Sequence, residues 1–262
     1  MKSKMIAMIE AFVMSGLILA LAACGGGGGG GGDSGTAPPP DPATSAEGLW
    51  IGSTSTSRSV TGFVLDDGSY WLLYSLPHAS SFMAGVVQGN GTSFNGSFSS
   101  SDGIDFNLEG QGINAATVSA GYMVKQSLNG SVSYPSLNQA YTFTSSYNPD
   151  YEQTPSVSAI AGTYTGVASV AGSDELTTMV VSAPGIVVGT GLTSGCKFLG
   201  TARPRAKGNL YDLSVAFSGG ACSSGTSAVA GIGYFDSSAK RLYVTALNKS
   251  RSNGLIFVGI KP

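Results

Sequence analysis

From Gly48 onward, apolar and polar residues trade places at every second position over short runs, and turn-forming residues separate the runs. In Gly103-Ile104-Asp105-Phe106-Asn107-Leu108-Glu109, the residues Ile104, Phe106 and Leu108 share one face, and Asp105, Asn107 and Glu109 take the other. Tyr211, Leu213, Val215 and Phe217 likewise oppose Asp212, Ser214 and Ala216. A period of two belongs to a β-strand with one buried face, and no stretch sustains a helical period. Asp66-Asp67-Gly68 is a turn between Val60–Leu65 and Tyr70–Leu76, and Asn129-Gly130 and Ser101-Asp102-Gly103 are expected to reverse the chain at similar breaks.

The pattern occurs twice. Gly48-Leu49-Trp50-Ile51-Gly52 opens one copy and Gly162-Thr163-Tyr164-Thr165-Gly166 the other. Each opener precedes a hairpin, Val60–Leu65 with Tyr70–Leu76 and Leu176–Ser182 with Ile186–Thr190, and each copy later holds a Phe-x-Gly, at Phe94 and Phe198. The polar, proline-punctuated segment 149–156 separates two expected domains, 46–148 and 157–262, each with seven or eight strand candidates. That number closes a small up-and-down barrel, so the fold class is all-β with two consecutive antiparallel barrels of about eight strands. Periodicity is satisfied equally by a pair of immunoglobulin-like sandwiches.

The Gly48-x-Trp50 and Gly162-x-Tyr164 openers resemble the first-strand motif of the calycin barrels, lipocalins among them. The resemblance implies an aromatic that plugs the barrel floor and a glycine that permits the bend.

Ahead of the alternating region the chain changes character. Lys2 and Lys4 precede a short apolar run, 11–20, that ends in Leu21-Ala22-Ala23-Cys24. The run is shorter than a membrane span and has the build of a secretory signal, residues 1–23. Leu21, Ala22, Ala23 and Cys24 resemble the lipobox of bacterial lipoproteins, which implies diacylglycerol on the Cys24 thiol, cleavage before it and an N-acyl chain on the new terminus. Gly25–Gly32 and the prolines 38–40 and 42 follow, and residues 24–45 read as a tether reaching on the order of 25 Å. Position 25 is Gly, not Asp, so by the same resemblance the address is the outer membrane, with orientation left open. A lipobox, a polyglycine tether and paired barrels together resemble Gram-negative surface lipoproteins such as the factor H binding proteins and the lobes of transferrin-binding proteins.

Composition narrows the function. Of 262 residues only 11% are charged, the net charge is −2 and no basic run occurs, which argues against nucleic acid as a partner. With Cys24 lipidated, Cys196 and Cys222 form an even pair at the same end of two strands that turn near 206–208, and a disulfide is expected. The only histidine, His78, follows a proline in a loop, and no Gly-x-Ser-x-Gly elbow accompanies it. Asp66 with Asp67 and Asp102 with Asp105 read as turn-forming aspartates, not calcium ligands. Gly110-Gln111-Gly112 enters no helix and reads as a loop, not a dinucleotide site. No catalytic residue, metal site or cofactor is expected beyond the acyl chains. Tyr70, Trp71, Tyr74, Phe82, Phe94 and Phe98 crowd the first copy, as core or as a pocket. The expected function is a non-enzymatic binding module displayed on its tether toward a protein or other macromolecule. The alternatives are a carrier of a small apolar ligand and a structural envelope lipoprotein.

Overall fold

A computed structural model of the chain describes residues 44–170 and 172–262. The first copy folds as β1 (Gly48–Thr54), β2 (Ser59–Val64), β3 (Ser69–Leu76), β4 (Ala79–Asn90), β5 (Thr92–Phe94), β6 (Ser97–Asn107), β7 (Gly112–Met123), β8 (Ser127–Tyr134) and β9 (Gln139–Tyr147). Neighbours in sequence pair antiparallel, β1 pairs β9, and β4 pairs β6 to close the cylinder, with β5 a short outlying arm on β6. The second copy comprises β10 (Gly162–Val170), β11 (Ser173–Val181), β12 (Ile186–Gly191), β13 (Lys197–Pro204), β14 (Tyr211–Phe217), β15 (Ala228–Asp236), β16 (Arg241–Leu247) and β17 (Gly254–Ile260), closed by β10 against β17. Two eight-stranded antiparallel barrels result, and sandwiches are excluded.

The openers do equivalent work in both copies. Trp50 and Tyr164 are fully buried, and each uses its polar tip on a carbonyl four residues back. Trp50 Nε1–H donates to Ala46 O at 2.9 Å, and the Tyr164 hydroxyl donates to Ile160 O at 2.8 Å. The glycine two residues later lets the closing strand approach: a Cβ on Gly52 would lie 1.9 Å from Thr144 O, and one on Gly166 2.0 Å from Val258 O. The first hairpins also match, Leu65 N–H bonding Ser69 O at 2.8 Å and Ser182 N–H bonding Ile186 O at 2.9 Å. The Phe-x-Gly likeness fails. Phe94 ends β5 and Asn95-Gly96 is the turn after it, whereas Phe198 lies inside β13 and fills its barrel.

Two expected turns are strand instead. Asn129-Gly130 lies within β8, where Gly130 passes so close to β7 that a Cβ would sit 2.2 Å from Ser119 O. The reversal occurs at 124–126, with Lys125 left-handed at φ 52°. Ser101-Asp102 is a bulge in β6, since Ser100 faces Val118 and Gly103 faces Ala116, which leaves two residues opposite the single Thr117. The extra residue shifts the alternation by one, so Phe98 and Ser100 before it point the same way as Gly103, Asp105 and Asn107 after it.

That way is inward. Trp50, Tyr70, Leu72, Phe98, Val118 and Phe143 fill the first barrel, and Tyr164, Met179, Phe198, Leu213, Val244 and Phe257 the second. The opposite faces of both supply a third cluster in which Phe63, Trp71, Leu73 and Phe106 of one barrel meet Ile232, Tyr234, Leu247 and Ile256 of the other. Phe63 lies 5.4 Å from Tyr234 between ring centroids. Strands whose apolar side was expected to face their own core thus turn it outward, against the neighbouring barrel. Segment 149–156 belongs to this contact. Tyr151 is buried in the shared cluster, accepts the Asn209 N–H on its carbonyl at 2.9 Å, and donates its hydroxyl to Glu47 at 3.1 Å.

Two arginines of the second barrel fasten the rim. Arg205 pairs with Asp66 at 3.0 Å, and Arg251 donates to the carbonyls of Gln88 at 2.6 Å and Asp102 at 2.7 Å. Burial opposes the charge on Arg205, but Asp212 and Asp66 outweigh it and hold its pKa above the ordinary value.

The disulfide Cys196–Cys222 is present and ties the loop after β14 to the start of β13. It links residues 26 apart, so replacing both cysteines with alanine is expected to cost about 3 kcal/mol. Urea unfolding checks this: the midpoint should fall, and the slope should rise, because the unfolded chain without its crosslink exposes more surface.

Candidate functional site

Trp50 closes one end of the first barrel, and the other end is open. Its rim is built from the turns after β1, β6 and β8, and behind it lies a cavity of about 120 Å³. The inward run of β6 places Asp105 on the cavity wall with only 3% of its surface exposed. The Tyr74 hydroxyl donates to Asp105 Oδ1 at 2.8 Å, and the Tyr134 hydroxyl bonds the same carboxylate. Asn107 donates to the Tyr74 oxygen at 3.2 Å, which fixes that hydroxyl's own proton toward Asp105. Arg58 lies 5.6 Å over the Tyr74 ring, bonds Ser75 O at 3.0 Å and pairs with Glu109 at 2.7 Å.

Burial pushes the Asp105 carboxyl up to about 6, against the Tyr74 and Tyr134 hydrogen bonds and the Arg58 charge, which pull it down. Burial and the adjoining carboxylate push both tyrosine hydroxyls well above their ordinary value, so they stay protonated donors.

The corresponding end of the second barrel is shut. The disulfide-tied loop lies across it, and a cavity of only about 30 Å³ remains beside Cys196, Phe198, Phe217 and Ser224. The strand that places Asp105 in the first barrel has β14 as its counterpart, with inward residues Tyr211, Leu213, Val215 and Phe217, all apolar or aromatic. The copies share a frame and differ in what fills it.

A second opening runs between the barrels, a cleft of about 670 Å³ with Phe82, Val86 and Phe106 on one side and Val167, Ile256 and Val258 on the other. Phe82 is 62% exposed, and Ile113 and Val167 are partly exposed beside it.

Cys24, Leu21, Ala22 and Ala23 lie outside the described residues. Gly48, Trp50, Gly162 and Tyr164 sit at the closed ends of their barrels, far in function from either opening. The crowded aromatics divide three ways: Tyr70, Tyr74 and Phe98 face the first lumen, Trp71 faces the second barrel, and Phe82 and Phe94 face solvent. Asp66 and Asp67 are turn residues, Asp67 accepting the Ser69 N–H at 2.9 Å. Asp105 is not, and this corrects the sequence expectation. The bulge and the neighbouring barrel together turn its side of β6 into the lumen. His78 occupies a turn before β4 with φ 58°. Among the described residues no group of three or more His, Cys, Asp or Glu is placed to hold a metal ion, and no helix is long and apolar enough to cross a membrane.

The chain matches no protein-family profile and no curated protein in sequence. Among solved structures it is similar to a chain from Bacteroides fragilis whose outer-membrane assignment is itself provisional, at 14% identity and a TM-score of 0.26, over 83% of this chain and 98% of that one.

Proposed function

We propose that this chain is a lipid-anchored envelope protein whose two-barrel body binds a protein partner at the cleft between the barrels. The supporting observation is the cleft itself. Its volume of about 670 Å³ is within the usual range for binding sites, and Phe82 stands exposed on its rim without contributing to any of the three buried clusters. An exposed phenylalanine beside an apolar groove is what an interface presents before its partner arrives. The Leu21-Ala22-Ala23-Cys24 box and the glycine tether supply the anchor and the reach. The apolar-carrier reading has less support, because both lumens are small and the more open one has a carboxylate in its wall.

A photo-crosslinking residue in place of Phe82, in cells carrying either the parent chain or Cys24→Ser, tests both halves. The parent should sediment with the envelope and give one discrete protein adduct, and Cys24→Ser should leave the envelope and lose the adduct. No discrete adduct from the parent overturns the binding role. Equal sedimentation of the two overturns the anchor.

A further inference from the structure

We propose that the open end of the first barrel is a binding site for a small organic cation, an ammonium or methylated ammonium group seated against Asp105. This site is separate from the cleft, and neither reading depends on the other.

The argument begins with charge. Three ionisable side chains of fixed sign meet at the cavity: Asp105, Glu109 and Arg58. Arg58 is paired with Glu109 at 2.7 Å and bonded to the Ser75 carbonyl, and although its charge also favours the Asp105 carboxylate, one guanidinium against two carboxylates leaves the cavity with an excess negative charge. Two tyrosine hydroxyls stabilise it, but hydroxyls are neutral donors and supply no countercharge. A carboxylate accepts about four hydrogen bonds, so lone pairs remain available toward the cavity. A buried carboxylate whose hydrogen-bond donors are neutral, and whose nearby cation is shared with a second carboxylate, is an expensive arrangement for a fold, and a bound cation relieves it.

The walls specify which cation. Tyr74, Tyr134 and Tyr141 line the space, with Tyr134 and Tyr141 edge-on at 6.0 Å, so the positive guest meets aromatic surface around its one carboxylate. Among the described residues no group of three or more His, Cys, Asp or Glu is placed to hold a metal ion, so a divalent cation would lack the clustered carboxylates that such sites use. A cavity of about 150 Å³ holds a benzene-sized guest of six heavy atoms, so about 120 Å³ suits a head group of about five. The open rim lets the remainder of a longer molecule extend into solvent. The second barrel supports the assignment by contrast, because its matching strand is apolar and its matching end is capped.

The groups that face Asp105 from every packed strand are Tyr74 on β3, Tyr134 on β8, Asn107 on its own strand, and Arg58 and Glu109 at the rim. Asp105 changes charge with a midpoint pushed up to about 6, so binding should weaken as pH falls below about 6 and strengthen above it.

The test is NMR titration of the full barrel pair with tetramethylammonium and with choline, at pH 7.5 and pH 5, against sodium at equal ionic strength. Saturable shifts confined to the β6 and β8 amides around the cavity are expected at pH 7.5 with both organic cations. Asp105→Asn should weaken them about tenfold or more, as should lowering the pH. Tyr141→Leu, a rim residue outside the carboxylate's hydrogen bonds, should weaken tetramethylammonium while leaving the fold's spectrum intact. Equal response to sodium, saturable binding of acetate instead, or Asp105→Asn binding as well as the parent would each overturn the proposal.

Discussion

Asp105→Asn should make the protein more stable at neutral pH, an unusual direction for a substitution at a buried polar residue. The carboxyl has a pKa of about 6 in the folded chain and an ordinary value near 3.8 when unfolded. Its folded pKa is the higher one, so the unfolded chain loses this proton first as pH rises. The stability carried by the protonated form is therefore complete below the unfolded value and is lost as pH climbs through the folded one. Two pKa units correspond to about 3 kcal/mol, of which about 2 kcal/mol should disappear between pH 4.5 and pH 7.5. Asparagine cannot ionise, keeps an oxygen to accept from one tyrosine and offers its amide to the other. The variant's advantage over the parent should grow across that window and flatten above pH 7. Urea unfolding of both chains at four or five pH values measures it. A difference that is constant with pH, or one that runs the other way, contradicts the burial described for this carboxylate.

Phe63→Ala should cost about 3–5 kcal/mol, the range for emptying a phenylalanine site in a core. This is the larger effect, and it depends wholly on the second barrel. Phe63 lies on the outer face of β2, so in an isolated first barrel it would sit in water and its removal would change stability by about 0.5 kcal/mol or less. In the shared cluster it is 1% exposed and lies against Tyr234. Tyr234→Ala should cost a comparable amount, and the double variant less than the sum, because each single change already damages the same contact. Phe94→Ala, at a residue 70% exposed, is the control and should be nearly neutral. Intrinsic fluorescence and circular dichroism should report one transition for the parent. Separate transitions in Phe63→Ala would show that this contact is what makes the two barrels unfold together.

Much of the frame was legible because it rests on local chemistry. Asp66-Asp67-Gly68 turns where Gly68 takes φ 82°, the paired cysteines sit at the same end of adjacent strands, and the two openers plug their barrels through the same backward hydrogen bond. What stayed hidden were facts about neighbours. Alternation shows that β6 has two faces, not which one is the lumen. Ile104, Phe106 and Leu108 are the apolar set, yet they pack toward the other barrel, and a linear pattern has no term for a second body that far away in sequence. Asn129-Gly130 is as good a hairpin signal as any in the chain, but here glycine answers a close strand approach and not a turn. Asp105 passes for a turn-forming aspartate for the same reason. Polar residues opposite apolar ones look solvated unless the apolar side is already claimed elsewhere.

The bulge at Ser101-Asp102 has an evolutionary corollary. Remove one of those two residues and the ladder with β7 becomes regular, with Gly103 still opposite Ala116 and Asp105 still turned into the lumen. Anywhere else along β6, gaining or losing one residue would reverse every side chain beyond the change and carry phenylalanine into the cylinder. The bulge is therefore the one place in this strand where a single-codon deletion leaves the hollow vessel hollow. An insertion that once created it would have been equally silent for the lumen.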